Sequence, residues 1–230
     1  MADFAWVKPP PPGKRPAAVF FSGSFNPPTN QHFRVLEIAK RTIEKQFGYS
    51  VVAGIMSPVS EKYGKKGLLL SNHRVEMCRL GSIGSGWIGV DDWESNQDQW
   101  VRTAVTLDSV TDRIRAYLHC DDLEMFFVMS SDCLETMTIE GCGDISLFPQ
   151  LFKHKMICCR RNNINVDKII DHKYLKDYKN QIIYAYDEPE NNISSTFVRE
   201  LLSKGQSVRY LIPDAVINYI DENKLYLNAK

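Results

Sequence analysis

No apolar run in this sequence approaches the length needed to cross a membrane, and residues 1–16 lack the apolar core of a secretory leader. Neither a spanning segment nor a leader is expected. Charge of one sign is also missing in excess: 28 Lys and Arg face 28 Asp and Glu. No overall field draws the chain to nucleic acid or to an anionic membrane surface, so any anion site has to be a local cluster. The six cysteines (78, 120, 133, 142, 158 and 159) contain no Cys-x-x-Cys pair. Cys158 and Cys159 are adjacent within an apolar run, where strand neighbours point to opposite faces and cannot chelate one ion. Reduced thiols in an intracellular protein, cytoplasmic or nuclear, fit this cysteine usage better than a metal or disulfide framework. Internal repeats and an internal linker are absent as well.

What is present is enough for one substantial core: 230 residues, 43% hydrophobic. Residues 1–16, with "KPPPPGKRP", read as a flexible, solvated, Pro-rich arm, and 17–230 as a single domain. Apolar runs at 17–22, 50–56, 87–90, 125–130, 155–159 and 181–186 are expected to be strands, most of them covered on both faces. Helical spacing lies between them, at 30–46 (Val35, Ile38, Ala39, Thr42, Ile43), at 72–82, and through Leu107, Val110, Ile114 and Leu118. A last helix opens at Pro213 and Asp214. Strand alternating with helix predicts an α/β fold, a parallel sheet with right-handed crossovers. Ligands of such sheets sit beyond the carboxyl ends of the strands. That directs attention to 23–32, 57–67, 91–97, 130–132 and 187–200.

The first of these loops, "GSFNPPTNQH", leaves a strand and enters a helix. Gly23 permits close backbone approach, Ser24 and Phe25 can present amides, and Pro27 and Pro28 stiffen the turn. Thr29 or Asn30 can cap the helix. His32 then falls in its first turn, where N–H groups and the helix dipole favour an anion. The residues alone are equally consistent with an ordinary capped turn. In "NNISSTFVRELL", Ser194 or Ser195 can cap a second helix carrying Thr196 and, one turn on, Arg199. The Glu or Gln of a capping box is missing there, and a simple cap gives no reason for the arginine, whose fork suits phosphate oxygens. "EKYGKKG" gathers Lys62, Lys65 and Lys66 between glycines, a solvated loop or a cradle for a leaving pyrophosphate.

The pattern Gly-Ser-Phe-Asn-Pro-x-Thr-Asn-x-His, followed by Ile-Ser-Ser-Thr-x-x-Arg, resembles the eukaryotic branch of the nicotinamide mononucleotide adenylyltransferases. These are nucleotidyltransferases with a His/Thr-x-x-His signature, here Thr29 to His32. The likeness extends through "GIMSPVSEKYGKKGL", "NHRVEM", "VDDWES" and "GQSVRYLIPDAVINYI", from about Val19 to Tyr226. It implies a Rossmann-like, doubly wound parallel sheet with helices on both faces. The implied reaction joins the 5′-phosphate of NMN, or of nicotinic acid mononucleotide, to the α-phosphorus of ATP, giving NAD or deamido-NAD and pyrophosphate.

By that resemblance His32, Lys65 and Arg199 carry the catalytic work. Gly23, Ser24, Phe25, His32, Lys65, Asn191, Ser195, Thr196 and Arg199 hold ATP. Ser24, Phe25, Trp93, Asn96, Ser130 and Asp132 hold NMN or NAD, with Trp93 packed on the pyridine ring and Asp132 on ribose hydroxyls. Mg²⁺ is the implied cofactor, held by ATP phosphates and water rather than by a protein metal site. The expected partners are small molecules, with no nucleic acid and no membrane, and a homo-oligomer is allowed.

Two departures stand out. Ser130-Ser131-Asp132 replaces the family's Gly-Ala-Asp. The usual Asn-Leu-Trp, whose tryptophan helps sandwich the pyridine ring, is not evident in "ETMTIEGCGDISLFPQLFKHK", where Phe148 and Phe152 are the candidate replacements. Related adenylyl- and cytidylyltransferases with other acceptors typically carry His-x-Gly-His, which Thr29 and Gln31 do not match.

Overall fold

Six apolar runs become six parallel strands in the computed structural model, which describes residues 4–141, 144–160, 164–187 and 191–227. β1 (Pro16–Gly23) leads into α1 (Asn30–Phe47), and β2 (Ser50–Pro58) into α2 (Ser71–Ser82). β3 (Ile88–Val90) leads into α3 (Thr103–Leu118), and β4 (Glu124–Ser130) into the short α4 (Ser131–Thr136) and α5 (Phe148–Leu151). β5 (Lys155–Cys159) is followed by α6 (Val166–Ile170), and β6 (Ile182–Ala185) by α7 (Ser195–Ser203) and α8 (Asp214–Glu222). The sheet order is β3-β2-β1-β4-β5-β6 with every neighbouring pair parallel. Strand order reverses between β1 and β4, and such a switch point opens a crevice at the carboxyl ends.

Alternate side chains of each strand supply two cores, as a period of two requires. Ala17, Val19, Phe126, Val128, Ile157 and Cys159 face α1 and α2, while Ala18, Phe20, Met125, Phe127, Met156 and Cys158 face α3 to α6. Cys158 and Cys159 therefore do point to opposite faces. The five described cysteines are free thiols, and Cys142 lies outside the described residues. A third apolar cluster joins Met77 of α2 to Val198 of α7, Val216 and Ile220 of α8, and the terminal Tyr226. Among the described residues no helix is long and apolar enough to cross a membrane.

The N-terminal segment differs from the solvated arm expected of it. Phe4 and Val7 are buried in the α3-side core. The Lys8 N–H donates to Val52 O at 3.3 Å, and the edge of the Phe4 ring meets Tyr117 at 5.9 Å. The Trp6 indole lies where Gly89 has no side chain; a Cβ there would fall 2.0 Å from it. Residues 4–8 thus form a strap across the sheet margin, and only residues 11–15 are exposed throughout. The proline run dominates the segment's composition, but the aromatic and aliphatic side chains before it gain more from burial than a solvated arm would.

Candidate active site

The turn after β1 is shaped by what it must enclose. Phe25 has φ of 44° and folds its ring inward to 2% exposure, against Phe21 and His32. A Cβ on Gly23 would sit 3.1 Å from that ring, which is why the position favours glycine. Asn26 is buried and binds three ways: its Nδ2 donates to Gly67 O at 2.9 Å, and its Oδ1 accepts from Leu69 N at 3.4 Å and from the Tyr226 hydroxyl at 2.8 Å. The turn is thereby fixed to the lysine-bearing loop and to the end of the chain.

Thr29 is the N-cap of α1. Its N–H donates to His32 Nδ1 at 2.8 Å, and its hydroxyl lies 2.9 Å from the same nitrogen. A histidine takes the place that Glu or Gln holds in a capping box. The cap thereby also fixes the orientation of the His32 ring. Because Nδ1 accepts, the proton of the neutral ring is on Nε2, which makes Nε2 a donor.

At the second helix entry Ser194 is the cap, its hydroxyl oxygen accepting from Phe197 N at 3.2 Å. Ser195 Oγ donates to Pro27 O at 2.8 Å, and Arg199 Nη1 donates to Asn26 O at 2.8 Å. Arg199 Nη2 donates to Thr196 Oγ1 at 3.3 Å. These bonds place the N-termini of α1 and α7 side by side, and Arg199 spends two of its five N–H donors on them.

Between them lies a cleft of about 320 Å³ at the carboxyl ends of the strands. Gly23, Ser24, Phe25, His32, Lys65, Ser130, Asp132, Ser195, Thr196 and Arg199 all line it. So do Lys66 and Arg160, two further cations. Lys62 does not: its Nζ donates to Asp98 O at 2.5 Å. The outcome is a rim of cations and helix N-termini with a carboxylate, Asp132, beside it. Among the described residues no three His, Cys, Asp or Glu side chains gather as a metal site.

Three expected residues stand outside the lining. Asn191 Oδ1 accepts from Ile193 N at 3.0 Å, a local turn next to the cleft. Asn96 is exposed, and Trp93 is half-buried with the Arg113 guanidinium carbon 5.8 Å from its ring. The open indole of that segment is Trp100, 39% exposed, with Tyr63 5.7 Å away and Arg102 over its face at 4.7 Å. Phe148 and Phe152 are core residues, both buried and packed with Tyr178, the Phe152 ring stacked on it at 4.3 Å. Neither can open a face to a pyridine ring.

The sequence reading missed Asn26, Arg74 and Glu94. Asn26 could have been found, since an Asn between a glycine-led turn and two prolines is a hydrogen-bonding turn residue. Arg74 and Glu94 are fully buried, and nothing local in "NHRVEM" or "DDWES" marks them as such. Burial raises the Glu94 carboxyl to about 7, with the Asp91 charge adding to the rise and the Arg74 charge opposing it; neither Glu94 oxygen has a hydrogen-bond partner among the described residues.

Comparison with known proteins agrees with this geometry. A cytidylyltransferase-like family model matches residues 20–201. The chain is 39% identical to the nicotinamide/nicotinic acid mononucleotide adenylyltransferase of Oryza sativa subsp. japonica, over 94% of this chain and 89% of that protein. It is 33% identical to nicotinamide/nicotinic acid mononucleotide adenylyltransferase 1 of Bos taurus, over 89% of this chain and 86% of that protein. Among solved structures it shares its fold with the Plasmodium falciparum nicotinic acid mononucleotide adenylyltransferase complexed with APC. The TM-score is 0.65 at 17% identity, over 91% of this chain and 96% of that one. The chain belongs to the cytidylyltransferase-like family and, within it, to the nicotinamide/nicotinic acid mononucleotide adenylyltransferases.

Proposed function

We propose that this protein transfers AMP from ATP to NMN or to nicotinic acid mononucleotide. A 5′-phosphate oxygen of the mononucleotide attacks the ATP α-phosphorus in line; the bond from that phosphorus to the α,β-bridging oxygen breaks, and pyrophosphate leaves. The observation that carries this reading is the convergence of two helix N-termini, His32, Lys65, Lys66 and Arg199 on one cleft at the switch point. Phosphoryl-type transfer needs alignment and charge neutralisation more than a protein nucleophile.

His32, with its proton on Nε2, donates to a phosphate oxygen as charge builds in the transition state. Lys65, Lys66 and Arg199 hold the β- and γ-phosphates and then the departing pyrophosphate. The Phe25 amide and the α7 entry with Ser195 and Thr196 fix the oxygens between them, and Asp132 accepts ribose hydroxyls. The donor set of the cleft suits phosphate oxygens rather than a metal, so Mg²⁺ enters with ATP. When bound it neutralises phosphate charge. For the pyridine ring we infer Trp100 in preference to Trp93, because it is the more exposed of the two indoles, 39% against a half-buried Trp93.

Purified protein with ATP, Mg²⁺ and either mononucleotide should yield the dinucleotide and one pyrophosphate per turnover, followed by chromatography and phosphorus NMR. Hydrolysis of ATP without dinucleotide, or no product with either acceptor, would sink the proposal.

A further inference from the structure

Arg74 is the largest side chain to be fully buried among the described residues, and the mechanism above gives it no part. Each of its nitrogens serves a different segment. Nε donates to Leu69 O at 2.8 Å, Nη1 to Ser24 O at 2.9 Å and Nη2 to Val59 O at 2.6 Å. Val59 and Leu69 are the two ends of the loop that carries Lys65 and Lys66, and Ser24 belongs to the turn after β1. One guanidinium closes the lysine loop at its base and joins that base to the turn.

The bond to Ser24 O does more than brace the backbone. In a trans peptide the C=O and the following N–H point in opposite directions. With the Ser24 carbonyl drawn inward to Arg74, the N–H of the same peptide, that of Phe25, faces outward. Ser24 and Phe25 both line the cleft. The left-handed φ of Phe25, 44°, is what lets its ring turn back inward while its amide faces the other way.

We propose that Arg74 is a positioning residue for the transfer reaction: it aims the Phe25 amide at a phosphate oxygen and sets the distance between that amide and the lysine loop. This rests on the phosphate reading of the cleft given above. The role calls for a planar fork with donors diverging in one plane, which lysine cannot reproduce with a single ammonium. An aliphatic residue would leave three buried carbonyls without donors.

Two measurements on the full chain test the proposal. In ¹⁵N-labelled wild type, adding the Mg²⁺ complex of ATP should shift the Phe25 amide resonance and slow its hydrogen exchange. A Phe25 amide that does not respond while ATP binds overturns it. In Arg74→Lys, kcat per folded molecule should fall about tenfold or more, the scale of a misplaced transition-state donor. The loss should persist with both substrates saturating, as expected of a contact that strengthens in the transition state and not of weakened ground-state binding. Normal kcat per folded molecule, or a loss that only tracks the unfolded fraction, refutes the role. Should Arg74→Lys not fold, the wild-type amide measurement decides. A wild type that binds ATP without forming dinucleotide would refute the reaction while leaving the Phe25 response to decide on Arg74.

Discussion

Replacing Glu94 with glutamine should make the folded protein more stable at alkaline pH and change little under acid conditions. The Glu94 side chain is wholly buried beside a second buried carboxylate, Asp91, which is itself gripped by Arg113 through two bonds of 2.7 Å. Asp91 is thereby neutralised by a partner of its own, whereas neither Glu94 oxygen has a hydrogen-bond partner among the described residues, and only the more diffuse field of Arg74 favours its charged form. Its carboxyl rises from the ordinary 4.5 to about 7, burial being the largest cause. The sign follows: the folded state holds this proton more tightly than the unfolded chain. Stability therefore falls as pH rises from about 4.5 through about 7, and the loss is complete above that. Two and a half decades of proton affinity, at about 1.36 kcal/mol each, amount to roughly 3 kcal/mol as an upper figure. For a chain of this size that corresponds to a Tm difference of about 6–12 °C. Glutamine keeps the shape and removes the titrating group. Arg74 remains compensated by its three carbonyls. Urea unfolding of wild type and Glu94→Gln at pH 5, 6, 7 and 8.5 measures the effect, with the gap between them opening as pH rises. A gap that does not depend on pH, or a variant weaker than wild type at pH 8.5, would refute the reasoning.

His32→Ala should lower kcat by about 10²–10³ with the fold intact, the cost of losing one preorganised donor; a circular dichroism spectrum and a kcat both near wild type would leave His32 only its part in the cap. Arg199→Lys should not restore the activity lost in Arg199→Ala, because Arg199 holds Asn26 O and Thr196 Oγ1 while reaching for phosphate, and an ammonium cannot divide itself in that way. Steady-state kinetics with ATP varied should show it, and full rescue by lysine would count against the bidentate reading. Trp100→Ala should raise KM for NMN several-fold, by about 0.5–2 kcal/mol of stacking and cation–π attraction, with KM for ATP little changed; Trp93→Ala should act mainly on stability. The reverse pattern would return the pyridine ring to Trp93.

The sheet was legible in the sequence because buried parallel strands are apolar on both parities. The six strands lie where those runs are, to within two residues at either end. That these two segments meet at one cleft was legible for a local reason: Gly23 to His32 and Ser194 to Arg199 are each short enough for turn and cap chemistry to be read directly. What escaped depends on contacts between distant segments. Arg74 sits at a helix spacing where an arginine is ordinarily solvated, and it becomes buried only because three loops turn their carbonyls toward it. The Pro run concealed the packing of Phe4 and Val7 because composition is an average, and the anchors and the solvated prolines share one short stretch. Trp93 and Trp100 lie seven residues apart in one loop, and Trp93 is half-buried beside Arg113 of the distant α3, a contact that the loop's own residues do not announce.

The bond from Tyr226 to Asn26 spans 200 residues, and Asn30 is held from Tyr210 and Leu211 by its side chain and its N–H. The 23–32 turn is therefore held by residues far later in the chain than the strand that leads into it. Sheet formation has no such wait, since β1, β2 and β4 all precede residue 131. A chain without the Tyr210, Leu211 and Tyr226 contacts is expected to pair its strands while leaving that turn unclamped. Chains ending at residue 205 should show strand and helix signals by circular dichroism but no heat of ATP binding by calorimetry, and tight ATP binding by such a chain would disprove the late clamp.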